Sequence, residues 1–287
     1  ITIPGKYVTI VQNSVTKEAK DKYSGISARD VSSSLMQAKD IDIPEGKQII
    51  DIVINEFVLE DGKKVDDPIG TFSGKFTLNA QIILADKDYM RAITNIFKKV
   101  DVDIDGMVPI TLAEKNLVLD SMEQKDYVML LDIGAETMNI GVFDGDRYVY
   151  TNSIPVGGNN ITNDIAVVLG ISLDEAERLK RQYGLALKSY IDNDTDVVLN
   201  TAKDENNKIV KSSEIVEIIE ARVEQMFEIV NQDVSNQGIK QNINTVVITG
   251  QGITSISKSD IVGKITLNIP VKMANNKIAS IIKPNYA

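Results

Sequence analysis

Apolar and polar positions follow two different rhythms along the chain. In the first third, Phe76, Leu78, Ala80, Ile82 and Leu84 recur at every second position. This predicts a strand over 75–84 with one buried face. The β-branched run Ile49–Ile54 predicts another strand, and Asp61-Gly62 marks a hairpin turn. Ser27 followed by Asp30 predicts a helix start, after which Val31, Leu35 and Ala38 share a face until Pro44-Glu45-Gly46 breaks the chain. Met90, Ile93, Phe97 and Val100 have helical spacing. Residues 15–105 therefore predict a small α+β unit.

The second half reads differently. Tyr127–Leu131 is continuously apolar and runs into Asp132-Ile133-Gly134, and Met138–Phe143 predicts the return strand before an Asp144-Gly145 turn. Ile161, Ile165 and Val168 lie on one helical face, and Gly170 stops that helix. Ser172 and Glu175 have the spacing of a capping box, opening a helix with Leu173, Ala176, Leu179 and Tyr183. Residues 192–207 are polar and predict a loop, with a weak strand around Val197. Ile215, Ile219, Met226, Ile229 and Val234 predict a long helix ending near Gly238, and Thr245–Thr249 a buried strand entering Gly250-Gln251-Gly252.

Composition narrows the chemistry. The chain has 287 residues, a size that suggests about two domains. It carries neither Cys nor His. This excludes disulfides, thiolate zinc sites, cysteine nucleophiles, Ser-His-Asp chemistry and imidazole-bound metals. Any metal must be held by oxygen, which points to Mg²⁺. The formal charge of −10 and the lack of a basic stripe argue against nucleic-acid binding. No apolar run approaches a membrane span, and no signal peptide is visible. The chain opens without Met and stops at Tyr286-Ala287, which reads as a fragment cut at both ends.

Four segments carry candidate chemistry. In Asp132-Ile133-Gly134-Ala135-Glu136-Thr137-Met138-Asn139, a strand delivers a carboxylate to a hairpin whose amides can face a phosphate. Thr137 adds a hydroxyl donor, and Asp132 is suited to hold Mg²⁺ through water. An ordinary hairpin with Asp132 capping its turn has the same pattern. Gly157-Gly158-Asn159 precedes a helix and lets the backbone pass close to a ligand or to another segment. Glu177 and Lys180 share a helix face, fit either to grip a ribose and an adenine edge or to form a solvated ion pair. Gly250-Gln251-Gly252 follows a buried strand, as in a nucleotide site or any tight βα turn.

The order of these segments resembles the second half of the actin, Hsp70 and sugar-kinase superfamily, an α/β fold. Within it the chain resembles the FtsA family of actin-like bacterial cell-division proteins. Asp132–Phe143 is similar to the family's second phosphate segment and Ile154–Ala166 to its connecting segment. Glu175–Lys180 with Tyr183-Gly184 resembles its ribose-contacting helix, and Val246–Gly252 its adenosine segment. Ile215–Glu224 resembles the long helix of subdomain IIB. Residues 49–100, with Asn55-Glu56-Phe57, Asp67-Pro68-Ile69-Gly70 and Gly74, resemble the small inserted subdomain IC.

The resemblance implies a domain plan: 1–14 a remnant of subdomain IA, 15–105 subdomain IC, and 106–127 a helix of IA. It continues with 128–171 as subdomain IIA, 172–244 as IIB and 245–287 as IIA again. Asn285-Tyr286-Ala287 is similar to the start of the family's last core helix. Implied too are ATP and Mg²⁺ as ligands, self-association into filaments, and docking of the FtsZ C-terminal tail on 172–244. Later division proteins would meet subdomain IC, at the cytoplasmic face of the membrane. A membrane-docking helix would follow Ala287, and the first phosphate loop would precede Ile1.

This chain departs from the family pattern at Ala135 for Gly, Asn139 for Asp and Gln251 for Gly. The stretch Met107–Thr111, where relatives place a catalytic acid or amide, has neither, which predicts weak ATP hydrolysis at most. Two rival readings share the fold: a nucleotide-free partner in a pilus or secretion system, and a kinase of the sugar-kinase branch. The kinase would need a general-base Asp facing its substrate, and no motif supplies one.

Overall fold

The computed structural model describes residues 1–20, 25–199 and 208–274. The chain forms two compact units, Ile1–Ala113 with Asp146–Asn152, and Glu114–Gly145 with Ser153–Ala287.

The first unit contains β1 (Thr2–Ile3), β2 (Val8–Glu18), α1 (Ala28–Ala38), β3 (Lys47–Leu59), β4 (Lys64–Val65), β5 (Lys75–Asp86), α2 (Lys87–Lys98) and β6 (Val108–Pro109). Four of these strands make an antiparallel sheet in the order β2-β5-β3-β4. Ser27 caps α1 reciprocally: its side chain accepts from the Asp30 amide, and Asp30 accepts from the Ser27 amide at 3.0 Å. Val31 and Leu35 pack on a core of Val15, Phe57, Phe76, Leu78, Ile82 and Leu84. β2 begins at Val8 and pairs with β5 along its whole length, so the sheet starts ahead of residue 15.

β5 corrects one expectation. Alternation predicts a single buried face, yet Gln81, Ile83 and Ala85 on the other face are also fully buried. The segment Asp146–Asn152, distant in sequence, belongs to this unit, and Gln81 bonds to the Tyr148 main chain there. A strand covered on both faces loses the polar half of its pattern.

α3 (Ile110–Val118) runs from the first unit into the second. There follow β7 (Tyr127–Ile133), β8 (Met138–Asp144), β9 (Arg147–Ile154), α4 (Gly158–Leu169), α5 (Leu173–Gln182), β10 (Asp196–Leu199), β11 (Lys208–Lys211), α6 (Ser212–Asn236), β12 (Thr245–Thr249), α7 (Gln251–Thr254), α8 (Ser259–Leu267) and β13 (Val271–Met273). Strands β13-β12-β7-β8 are hydrogen-bonded neighbours: β12 is parallel to β13 and β7, and β7 and β8 form an antiparallel hairpin. Six of the seven residues of β7 and of β8 are buried. Central strands of a mixed sheet need apolar side chains on both faces, which explains the unbroken run at 127–131.

The helices show where periodicity misleads. On α4 the buried stripe is Ile161, Ile165 and Leu169, while Val168 is 62% exposed. Ser172 does cap α5, accepting from the Glu175 amide at 3.2 Å. Glu175, however, pairs with Arg178 through both carboxylate oxygens instead of closing a box. Val197 lies in β10, paired antiparallel with β11, a strand the polar composition conceals. Positions 200–207 of the expected loop and the helix start at Asn285 lie outside the described residues.

Candidate functional site

Asp132 and Thr249 are register partners near the carboxyl ends of the parallel strands β7 and β12. The carboxyl ends of such strands are where α/β folds bind ligands. Two turns leave the sheet here: the hairpin tip 134–137 and the turn at Gly250. A third segment, the start of α4, packs against both.

Glycines make this convergence possible. A Cβ on Gly157 would stand 2.6 Å from the Gly134 and Ala135 carbonyl oxygens. One on Gly158 would stand 2.8 Å from the Gly252 Cα, and one on Gly252 would overlap the Gly134 carbonyl oxygen. Gly250 has φ +94°, and its Cβ would lie 2.5 Å from Asp132 Oδ1. Only glycine permits both that φ and that approach. Gln251 is exposed.

Hydrogen bonds tie the three segments. The Gly158 amide donates to the Gly134 carbonyl at 3.0 Å and the Asn159 amide to the Ala135 carbonyl at 2.8 Å. The Gly157 amide donates to Asn160 Oδ1 at 2.9 Å. The start of α4 thus braces the hairpin through its own amides. The amides of Ala135, Glu136 and Thr137 take no hydrogen-bond partner among the described residues. Ala135 and Glu136 are exposed and Thr137 is half-buried. Successive free amides at a turn form an anion-binding concavity.

Behind the tip lies a buried polar chain. Ser153 donates to Asn139 Oδ1 at 2.8 Å, and Asn139 Nδ2 donates to Asp132 Oδ2 at 3.0 Å. Burial pushes the Asp132 pKa up and the Asn139 bond opposes it, leaving it raised. Met138, beside this chain, is fully buried and packs in the core. Among the described residues no group of three or more acidic side chains converges. A divalent cation here would rest on Asp132 through water, which suits Mg²⁺.

α3 adds a carboxyl that the sequence reading passed over. Burial, then the nearby Asp132 charge, pushes Glu114 up to about 8. Its Oε2 is buried with no hydrogen-bond partner in the described structure. The sequence signal is slight: a single acid directly after Ile110-Thr111-Leu112-Ala113.

Glu177 and Lys180 form an internal tether. Lys180 is only 6% exposed and reaches Glu177 at 2.6 Å, Thr162 Oγ1 at 2.8 Å and the Gly158 carbonyl at 3.2 Å. This ties α5 to the first turn of α4. Burial pushes the Glu177 carboxyl up, but bonds from Lys180, Thr162 and Arg181 outweigh it, and its pKa falls to about 2. A lowered folded-state pKa contributes stability above the unfolded value near 4.5 that is lost as pH falls towards 2. Glu177→Gln is expected to cost about 1–2 kcal/mol at pH 7, a figure discounted for the partial exposure of Glu177. Urea melts at stepped pH check this: the gap between variant and wild type should narrow below pH about 4.5 and close as pH approaches about 2. A pH-independent gap would refute it.

The comparisons agree with this architecture. The family model described as Cell division protein FtsA matches residues 129–287, and that of the SHS2 domain inserted in FTSA matches residues 5–84. Cell division protein FtsA of Bacillus subtilis is 26% identical over 286 residues, covering 100% of this chain and 63% of that protein. That of Escherichia coli K12 is 24% identical over 233 residues, covering 78% of this chain and 56% of that protein. The chain thus spans less than two thirds of the length of these relatives. Among solved structures, MreB5 of Spiroplasma citri bound to ADP superposes with TM-score 0.54 at 17% identity, covering 67% of this chain and 62% of that one. The PilM-PilN type IV pilus biogenesis complex superposes with TM-score 0.52 at 13% identity, covering 94% of this chain and 67% of that one. With an actin-like fold, an inserted SHS2 domain and a family match over more than half its length, this chain belongs to the FtsA cell-division family.

Proposed function

We propose that the protein is an ATP-binding, actin-like division scaffold that self-associates and links FtsZ filaments to the cytoplasmic face of the membrane. The observation that carries the nucleotide part is the hairpin tip, where the amides of Ala135, Glu136 and Thr137 stand open beside the buried Asp132 carboxylate. Backbone donors and the Thr137 hydroxyl would hold phosphate oxygens. Asp132 would orient the water shell of Mg²⁺, which supplies charge neutralisation between phosphates when bound. The glycines at 157, 158, 250 and 252 keep the tip in place. MreB5, which shares the fold, is described bound to ADP, and this supports the reading.

Residues 172–244 are the proposed dock for the FtsZ tail, and 15–105 the surface for neighbouring subunits and later division proteins. Nucleotide acts as a conformational ligand: it shifts populations only by its difference in affinity between states. Met107–Thr111 supplies no base, so binding without fast turnover is expected. Among the described residues no helix is long and apolar enough to cross a membrane.

Titration of the intact protein with a fluorescent ATP analogue, with and without Mg²⁺, tests the nucleotide part. Saturable binding is the expected result. Absence of binding at millimolar ATP would transfer the function to a nucleotide-free interaction module. That rival draws on the amides of Gly158 and Asn159, which are already occupied within the protein. Co-pelleting with lipid vesicles and an FtsZ tail peptide tests the scaffold part, and no dependence of pelleting on the peptide would count against it.

A further inference from the structure

Asp132, Asn139 and Ser153 form a chain of donors and acceptors in which each residue is more than nine-tenths buried. Its direction follows from chemistry. An ionised carboxylate only accepts hydrogen bonds, so the Asn139 amide must present its NH₂ to Asp132 and its oxygen to the Ser153 hydroxyl. Asn139 is the register partner of Asp132 across the β7–β8 hairpin, so the contact is set by strand pairing as well as by rotamer. Asp132 Oδ2 is taken by Asn139, while Oδ1 lies on the Gly250 side.

Two aspartates in these positions would face each other as acceptors only. Such a pair needs a shared proton or a bridging cation. Asn139 Nδ2 puts a positive dipole in that place.

We propose that Asn139, held by Ser153, is a positioning residue that stands in for a cation at Asp132, so that nucleotide binding depends less on Mg²⁺ than it would with Asp at 139. This rests on the nucleotide reading above. The carboxylate keeps one orientation whether or not a metal is present, and the open amides of Ala135, Glu136 and Thr137 face phosphate beside a preset group.

The test compares the intact wild type with Asn139→Asp, Asn139→Ala and Ser153→Ala. Each is titrated with the fluorescent ATP analogue in excess Mg²⁺ and in chelator, and each is melted without nucleotide in the same two buffers. For Asn139→Asp, the ratio of affinities with and without Mg²⁺ should rise about tenfold or more over wild type, the scale of one hydrogen bond to a charged group. Mg²⁺ alone should raise the melting temperature of Asn139→Asp but not of wild type. Asn139→Ala should weaken binding in both buffers, and Ser153→Ala should do the same to a smaller extent. An Asn139→Asp protein that matches wild type in both the affinity ratio and the Mg²⁺ effect on melting overturns the proposal. A loss of melting temperature alone, equal in both buffers, also overturns it, since packing would account for that. If wild type binds no ATP, the nucleotide reading fails, and the melting comparison decides the role of Asn139 by itself. If Asn139→Asp fails to fold in either buffer, Ser153→Ala decides: unchanged affinity in chelator overturns the proposal.

Discussion

Gly252→Ala is expected to destabilise the protein by about 3 kcal/mol or more, at the upper end for overpacking. The new methyl would overlap the Gly134 carbonyl oxygen and stand 2.8 Å from the Ile133 carbonyl oxygen. Both obstacles are backbone atoms of the hairpin that carries Asp132. A flexible side chain could swing aside; a carbonyl in a strand end cannot without breaking its pairing. The expected relief is therefore displacement of the hairpin from the turn at Gly250, with loss of any nucleotide binding. Urea denaturation and the ATP titration read the two effects separately. Gln251→Ala next door is the control, expected within about 0.5 kcal/mol because that side chain is exposed. Gly158→Ala attacks the same contact from the other side, with its Cβ 2.8 Å from the Gly252 Cα. The double variant should cost less than the two singles added, since the first methyl already opens the gap. A near-neutral Gly252→Ala would mean that the three segments are not packed as described.

The second large effect is expected at Gln81 in β5. Its side-chain amide makes two 2.7 Å hydrogen bonds to one residue: Nε2 donates to the Tyr148 carbonyl, and the Tyr148 amide donates to Oε1. Gln81 and Tyr148 are both fully buried. The carboxamide thus pairs with a main chain as another strand would. Gln81→Ala removes both bonds from a site that water does not reach. At about 1–3 kcal/mol for each group left without its partner, a loss of about 2–6 kcal/mol is expected. Gln81→Leu should not recover it, although it restores volume, because the missing quantity is polar. Proteolysis should then cut near 146–152 well before the rest of the chain. Equal stability for Gln81→Leu and wild type would show that these bonds contribute nothing net.

Much of the architecture was legible along the chain because each element depends on local chemistry. Ser27 and Asp30 mark α1 through a reciprocal cap between neighbours, and the apolar run at 127–131 marks a strand buried on both faces. The glycine turns at 134, 157–158 and 250–252 were visible for the same reason, since few other residues permit those backbones. The order of those segments along the chain resembles the actin-like fold, and the stretches at 49–100 and 215–224 carry the resemblance to the family.

Contacts between distant segments were not legible. The second buried face of β5 depends on residues 146–152, and nothing near Gln81 in sequence announces them. The glycine pair at 157–158 signals close approach but not its object, which here is the hairpin of Asp132. Glu177 and Lys180 read as either a ribose grip or a solvated pair, and only the fold buries Lys180 against Gly158 and Thr162. Glu114 reads as any helical acid in sequence, and only the fold buries its Oε2 without a hydrogen-bond partner. Local conformational preference and periodicity, which the chain carries residue by residue, therefore determined the elements and the fold. Solvation and hydrogen bonding at Asp132, Asn139, Glu114 and Lys180 were decided by tertiary structure, because both depend on which groups meet in space.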